Sequence, residues 1–278
     1  MTHRLFLSKL VEAVWYRWRF LLLILMPQMI PPYASEGYTL SEWGMVNTFI
    51  LTHPFKDFFA GFYPVFQIMP LVLLVTIFLA GRRVSRIFSG YAAVTYVIIA
   101  FLQSISVSDT YGFAVHTANL MTFLTLAGLW FRETAFPQNK FKIQKNTIWK
   151  YWAIPLALLA FWFPVNPILL TPDFDPIYLL TSGSGLSFCM VTPLYLAILA
   201  PNFPQINKPV FISTGVIGVM MGLGNMLLEF IIYPAFWWIG IFHIPLLIIS
   251  LWCVVLSFNE IAGQVREAVI DMGVRASA

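Results

Sequence analysis

The side chains able to do chemistry in this 278-residue chain are few, and each sits in strongly apolar company. Asp109, His116 and Asn119 fall at the head of one long apolar stretch, and Thr181, Ser182, Ser184 and Ser187 near the start of another. Asn225 and Glu229 close a third, and His243 lies inside a fourth. A polar group in such a stretch is costly unless it binds something, so each is a candidate for function, the alternative being a hydrogen bond that glues helices together. A hydroxyl at Ser184 and an imidazole at His243 are a nucleophile and a general base, and His116 with Asn119 could donate to an oxyanion. Asn225 and Glu229, four residues apart, share a helix face, and a carboxylate in low dielectric is a natural ion or proton site. The expected binding set is therefore Asp109, His116, Ser184, Asn225, Glu229 and His243. The catalytic candidates are Ser184, His243, His116 and Asn119.

Local sequence sharpens two of these positions. Residues 181–187 read Thr-Ser-Gly-Ser-Gly-Leu-Ser, a density of small residues that suits close helix packing or a broken helix whose freed amides bind an anionic group. Gly218 and Gly222 form a GxxxG step, which mostly means tight packing. Two histidines at unequal depth, with no other cofactor signature, do not make a haem site, and no apolar stretch holds a lysine for a retinal-type Schiff base. HExxH, CxxC, Walker and EF-hand patterns are missing from the sequence, so no metal or cofactor is indicated. The two cysteines, Cys189 and Cys253, both fall in apolar stretches, away from any loop where a structural disulfide would report an oxidising compartment.

What must position these groups is a bilayer. Hydrophobic residues make up 59% of the chain and charged ones 10%, against about 25% charge in an ordinary soluble protein, and mean hydropathy is +0.80. The charges cluster, leaving eight uncharged stretches at 20–35, 58–81, 87–108, 110–131, 151–172, 176–207, 209–228 and 230–259. Most meet the roughly 20 residues that a crossing helix needs, and the first is the shortest. The stretches are continuously apolar instead of alternating, which argues against a β-barrel, and the first lacks the small-residue cleavage site of a secretory leader. The predicted fold class is all-α: a polytopic integral membrane helical bundle of about eight transmembrane helices. By helical rise, Ser184 and His116 sit roughly 10 Å below one boundary and His243 roughly 15 Å, all in the same half of the bilayer.

Orientation follows from the basic residues. With both termini in the cytoplasm, 15 of the 16 Lys and Arg face inward and only Lys56 lies outside. The net charge of +4 is then a topology signal and not a nucleic-acid footprint. The expected organisation is one transmembrane domain over 1–278: a cytoplasmic segment 1–19, an outer interfacial segment 35–57, a basic cytoplasmic loop 132–150 and a cytoplasmic tail 259–278. Within 35–57, Thr39-x-x-Glu42 is a capping-box pattern ahead of a short apolar helix, 43–55, that should lie along the surface. The expected location is the cell membrane, multi-pass; the expected partners are the lipid bilayer and other membrane subunits.

Two families share short motifs with this chain. His116-x-x-Asn119, the apolar run to Gly128 and Glu133, Ser184-Gly185 and His243 together resemble the rhomboid intramembrane serine proteases. That resemblance implies Ser184 as nucleophile, His243 as base and His116 with Asn119 as oxyanion donors. Ser182 stands where rhomboids carry the first glycine of GxSG, and the His-Asn spacing is one residue shorter. Ser184-Gly185-Leu186 and Asn225-Met-Leu-Leu, with a histidine downstream, resemble the exosortase and archaeosortase transpeptidases, eight-span proteins of this size. Here Gly183 takes the place of the nucleophilic cysteine and Leu228 that of the arginine. Three functions are thus expected in order: transport or binding of a small solute in an outward-facing polar pocket, an intramembrane serine hydrolase or transpeptidase, and a non-catalytic subunit or assembly factor of a membrane complex.

Overall fold

The computed structural model describes residues 26–142, 145–166 and 169–276, and the chain is mostly helical, at 75%. The predicted segment 1–19 and the start of the first predicted span, with Arg4, Lys9, Arg17 and Arg19, lie outside the described residues, as do 277–278. The rest of that first span is not helix. Pro27, Pro31 and Pro32 withhold the N–H groups a helix needs, and the chain forms a 3-10 turn, Met26–Met29, then strand β1, Tyr33–Ala34.

The capping box forms as its sequence predicts: the Thr39 backbone N–H donates to Glu42 Oε2 at 2.7 Å, and helix α1, Trp43–Thr52, follows. It ends at His53, because Pro54 is held extended. A 3-10 helix, Phe55–Phe62, leads into α2, Tyr63–Ala80, and α3 is Ser85–Leu102. Then comes a departure from the predicted helices through 108 and from 110. Ile105–Ser108 (β2) and Gly112–Val115 (β3) pair as an antiparallel hairpin, Ile105 opposite Val115 and Ser108 opposite Gly112, and β1 joins the other edge of β3. Gly112 at φ +63° supplies the left-handed residue that a three-residue hairpin loop calls for. Val46 and Ile50 of α1 bury against Ala34 and Ala114 of this small sheet.

Helix α4, Thr117–Ala135, opens with the His116 imidazole accepting from the Asn119 N–H. Helix α5 is Ala153–Trp162. After one turn at Tyr178–Thr181 and a 3-10 turn at Gly183–Leu186, α6 covers Phe188–Leu199. Helix α7, Lys208–Leu227, runs into a π turn, Leu228–Ile232. A short helix, Trp237–Ile241, precedes α8, Ile244–Ala276, so the described part of the predicted tail 259–278 continues α8.

Among the described residues, three helical runs, Leu40–Ala80, Ser85–Leu102 and Lys208–Ile232, are long and apolar enough to cross a membrane. The number rises to five if each of two bent pairs counts once: Tyr178–Leu186 with Phe188–Asn202, bent by 91°, and Pro234–Ile241 with Ile244–Glu260, bent by 53°. Hydropathy runs straight through both bends, which is why the sequence reads as unbroken there.

At the centre stands α6, every residue of which is buried. Tyr195 meets Phe88 and Tyr96 edge-on, the Tyr96 and Thr192 hydroxyls are 3.0 Å apart, and Trp130 Nε1 donates to Thr214 Oγ1 at 3.2 Å. Helices α7 and α8 pack through the GxxxG step: a Cβ on Gly218 would stand 2.1 Å from Ser250 Oγ. In the last turn of α4, the fully buried Glu133 carboxylate accepts from the Gln138 and Asn139 N–H groups at 2.8 Å and from Asn207 Nδ2 at 2.6 Å. The predicted loop 132–150 is thereby tied down; the Lys142 N–H also donates to Asn202 Oδ1, and Lys150 Nζ to the Phe203 carbonyl.

Candidate active site

Four interruptions of helix converge on one cavity. They are the Pro54 break, the Ser182–Ser187 segment, the π turn after α7 and the Phe242–His243 break before α8, and the cavity they enclose measures about 210 Å³. An unbroken helix presents side chains only on its flanks, whereas a break frees backbone groups and swings a side chain across the axis. The breaks bring Lys56, Ser184, Glu229 and His243 to a common wall, with Cys189 and Asn225 from the adjoining helix ends.

His243 is the pivot. Its Nδ1 lies 2.9 Å from Glu229 Oε2, at ion-pair distance but off the in-line geometry of a strong hydrogen bond. Cys189 lines the same cavity wall as the imidazole. Asn225 Nδ2 donates to the Met221 carbonyl at 2.8 Å and to Cys189 Sγ at 3.4 Å. Cys189 is the second residue of α6, so its sulfur stands at the positive end of a twelve-residue helix. The Lys56 ammonium is close enough to feel it electrostatically. Gln103 Oε1 receives the first N–H of α6, that of Phe188, at 3.0 Å, which fixes the helix start.

Ser184 is engaged differently. Its hydroxyl donates to the Phe161 carbonyl, Gln67 Nε2 donates to its oxygen at 2.6 Å, and Ser182 Oγ is 3.0 Å away. Gln67 also donates to the Ser182 carbonyl at 2.7 Å. This knot ties the end of α5 and the 3-10 turn to α2, and Gly185 completes it, since a Cβ there would lie 2.2 Å from the Phe66 carbonyl oxygen. Among the described residues no hydrogen bond joins Ser184 to His243.

Of the residues singled out from sequence, the cavity gathers Ser184, Asn225, Glu229 and His243. It does not gather the other three. His116 caps α4, Asn119 is buried in the first turn of that helix, and Asp109 is exposed in the hairpin turn. Sequence reasoning missed Lys56 and Cys189 as members, and Gln67 as the side chain that holds Ser184. Two signals were present: Lys56 is the one basic residue on the wrong side of an otherwise strict asymmetry, and Cys189 follows the small-residue run by two positions, where a helix restarts.

A thiol, an imidazole and a carboxylate in series are the parts of nucleophilic acyl transfer: an attacking sulfur, a base to take its proton, and an anion to orient and balance the base. A cation and a helix N-terminus beside the sulfur are the surroundings in which reactive cysteines occur. Among the described residues no group of three or more His, Cys, Asp or Glu is arranged to hold a metal ion. No family model matches the chain, and no curated protein or solved structure is similar to it at a significant level.

Proposed function

We propose that this chain is a membrane-embedded acyl-transfer enzyme that works through Cys189. The observation that carries the reading is that Cys189, His243 and Glu229 line one cavity, with His243 Nδ1 2.9 Å from Glu229 Oε2. His243 takes the thiol proton as sulfur attacks the carbonyl carbon of an ester, thioester or amide. The tetrahedral intermediate collapses, the leaving group departs with the proton held by His243, and the acyl group remains on sulfur. Water or an amine then attacks that thioester, His243 again removing and returning the proton, and the thiol is restored. Asn225 Nδ2, already within 3.4 Å of the sulfur, is the side-chain donor best situated for the oxyanion. This moves the nucleophile from Ser184, whose proton is committed to Phe161, to Cys189.

The setting we propose is a multi-pass protein of the cell membrane with eight crossings and cytoplasmic termini. Beyond the runs already long enough to cross, helix α4 and the shorter apolar run Ile148–Trp162 supply two further crossings; Met26–Ala34, a 3-10 turn and a strand, is not one, so the eighth rests on residues before Met26, outside those described. With 15 of 16 basic residues inside, the cavity opens in the outer half and Lys56 stands out as its cation.

A solute-binding or transport role for the same cavity draws on a separate observation, the presence of three ionisable side chains, Lys56, Glu229 and His243, along its wall. Incubation of the purified protein with p-nitrophenyl acetate, followed by intact-mass and peptide analysis, separates the two. Acetylation confined to Cys189 and lost in Cys189→Ala is expected. Full-length protein that stays unmodified, or that is modified equally in the variant, refutes the enzyme reading and leaves solute binding.

A further inference from the structure

A second cavity of about 350 Å³ adjoins the first, and three residues, Leu51, Asn225 and Glu229, line both. Leu170, Leu228, Tyr233, Phe236 and Ile239 make the rest of its wall largely apolar. Of its polar side chains, Thr52 Oγ1 donates to the carbonyls of Thr48 and Phe49 in its own helix, Asn225 Nδ2 donates to the Met221 carbonyl and Cys189, and Glu229 lies against His243; Thr48 and Tyr233 complete the polar lining. An extended peptide threaded here would bury N–H and C=O groups without partners, a cost of roughly 1–3 kcal/mol each. A hydrocarbon chain asks for none. Around the mouth, Ile231, Ile232 and Trp237 are more than half exposed, which in a bilayer means exposed to lipid chains.

We infer that the second cavity holds the alkyl chain of the substrate, so that the enzyme acts on a long-chain acyl ester or thioester drawn from the bilayer. The inference rests on the acyl-transfer reading for the chemistry, and on the shared wall for the placement. The carbonyl lies over Cys189, and the chain runs past Asn225 and Glu229 toward Phe236 and Ile239. In the step itself the acyl C–O or C–S bond breaks, the acyl–sulfur bond to Cys189 forms, and the alcohol or thiol leaves with the proton from His243. Water then releases a fatty acid and regenerates the thiol.

Two measurements separate the parts. The first uses Cys189→Ala protein in nanodiscs with a diazirine-bearing palmitate, irradiated and mapped by mass spectrometry. Adducts should concentrate on Leu228, Tyr233, Phe236 and Ile239 and should fall about 10-fold with excess unlabelled palmitate. Adducts spread over lipid-exposed positions such as Val72 and Leu79, or unaffected by competitor, overturn the chain site. The second compares p-nitrophenyl butyrate with p-nitrophenyl laurate on unmodified protein. The laurate should acylate Cys189 about 10-fold faster, and Ile239→Trp, or Leu170→Trp where the first variant does not fold, should cut the laurate rate alone. Equal rates for the two esters overturn the inference while leaving the enzyme reading intact. Localised adducts with no acylation by either ester overturn the enzyme reading and keep the cavity as a lipid site.

Discussion

Replacing Glu229 by Gln keeps the size and hydrogen-bonding reach of the side chain and removes only its charge. His243 Nδ1 stands 2.9 Å from that charge, and both side chains are largely shielded from solvent. At an effective dielectric near 20 the gross attraction between an imidazolium and the carboxylate is about 6 kcal/mol. Most of it is offset by the water both groups give up, and the part that separates a charged from a neutral acceptor is about 2 kcal/mol. The proposed mechanism starts from a neutral thiol–imidazole pair and places the imidazolium in the acylation transition state, once the thiol proton has moved. The loss therefore falls on the barrier, and about 2 kcal/mol is about 30-fold in rate. The assay is the burst of p-nitrophenol released from p-nitrophenyl acetate by purified protein, with Cys189→Ala as the blank. Glu229→Gln should slow the burst about 30-fold without changing its amplitude. A folded variant whose burst rate stays within about twofold would refute the role given to Glu229, because a carboxylate that balances the base must be felt when its charge goes.

Ser184→Ala should leave the burst within about threefold while lowering stability by about 1–3 kcal/mol in urea unfolding, since it leaves the Phe161 carbonyl and a Gln67 donor unpaired in a dry site; fluorophosphonate labelling that disappears in this variant would instead restore serine chemistry. Glu133→Ala should cost about 3 kcal/mol or more and reduce recovery of folded protein, because two backbone N–H groups and Asn207 lose a buried acceptor together. In a background without Cys189 and Cys253, Phe174→Cys should react with an impermeant maleimide on intact cells and Lys140→Cys should not; the reverse pattern would invert the topology.

How much of this was legible in the sequence depended on how local the cause was. The Thr39 capping box is set by two side chains within one turn, and it formed as read. The sheet was hidden because its two hairpin strands are only four residues each, and they merge with the long apolar stretches on either side of Asp109, too short for a strand period to stand out. The breaks at 182–187 and 242–243 were half visible. The small residues at the first announced one, but the direction of the 91° bend depends on what Gly185 packs against, and its neighbour Phe66 is far away in the chain. Glu229, Asn225, Ser184 and His243 were found because polar atoms in apolar runs stand out. Gln67 stands out in the same way and was passed over; its partners are 115 and 117 residues distant, so its importance shows only after folding. Cys189 was invisible for the opposite reason: a thiol among Phe, Met and Val looks like core, and only the helix start, Lys56 and His243 give it another character.

The twelve buried residues of α6 give the site its mechanics. A helix enclosed on every side has nowhere to go, so the sulfur at its start is the stationary member of the trio. Glu229 belongs to a π turn and His243 to a bend between two helices, and such interruptions are where a backbone yields with least resistance. Opening the wall between the two cavities would thus carry the base and its carboxylate away from a fixed nucleophile, and closing it would bring them back. The trio works as a latch with one jaw bolted down, and the arrival of a chain beside Glu229 is the event that could throw it.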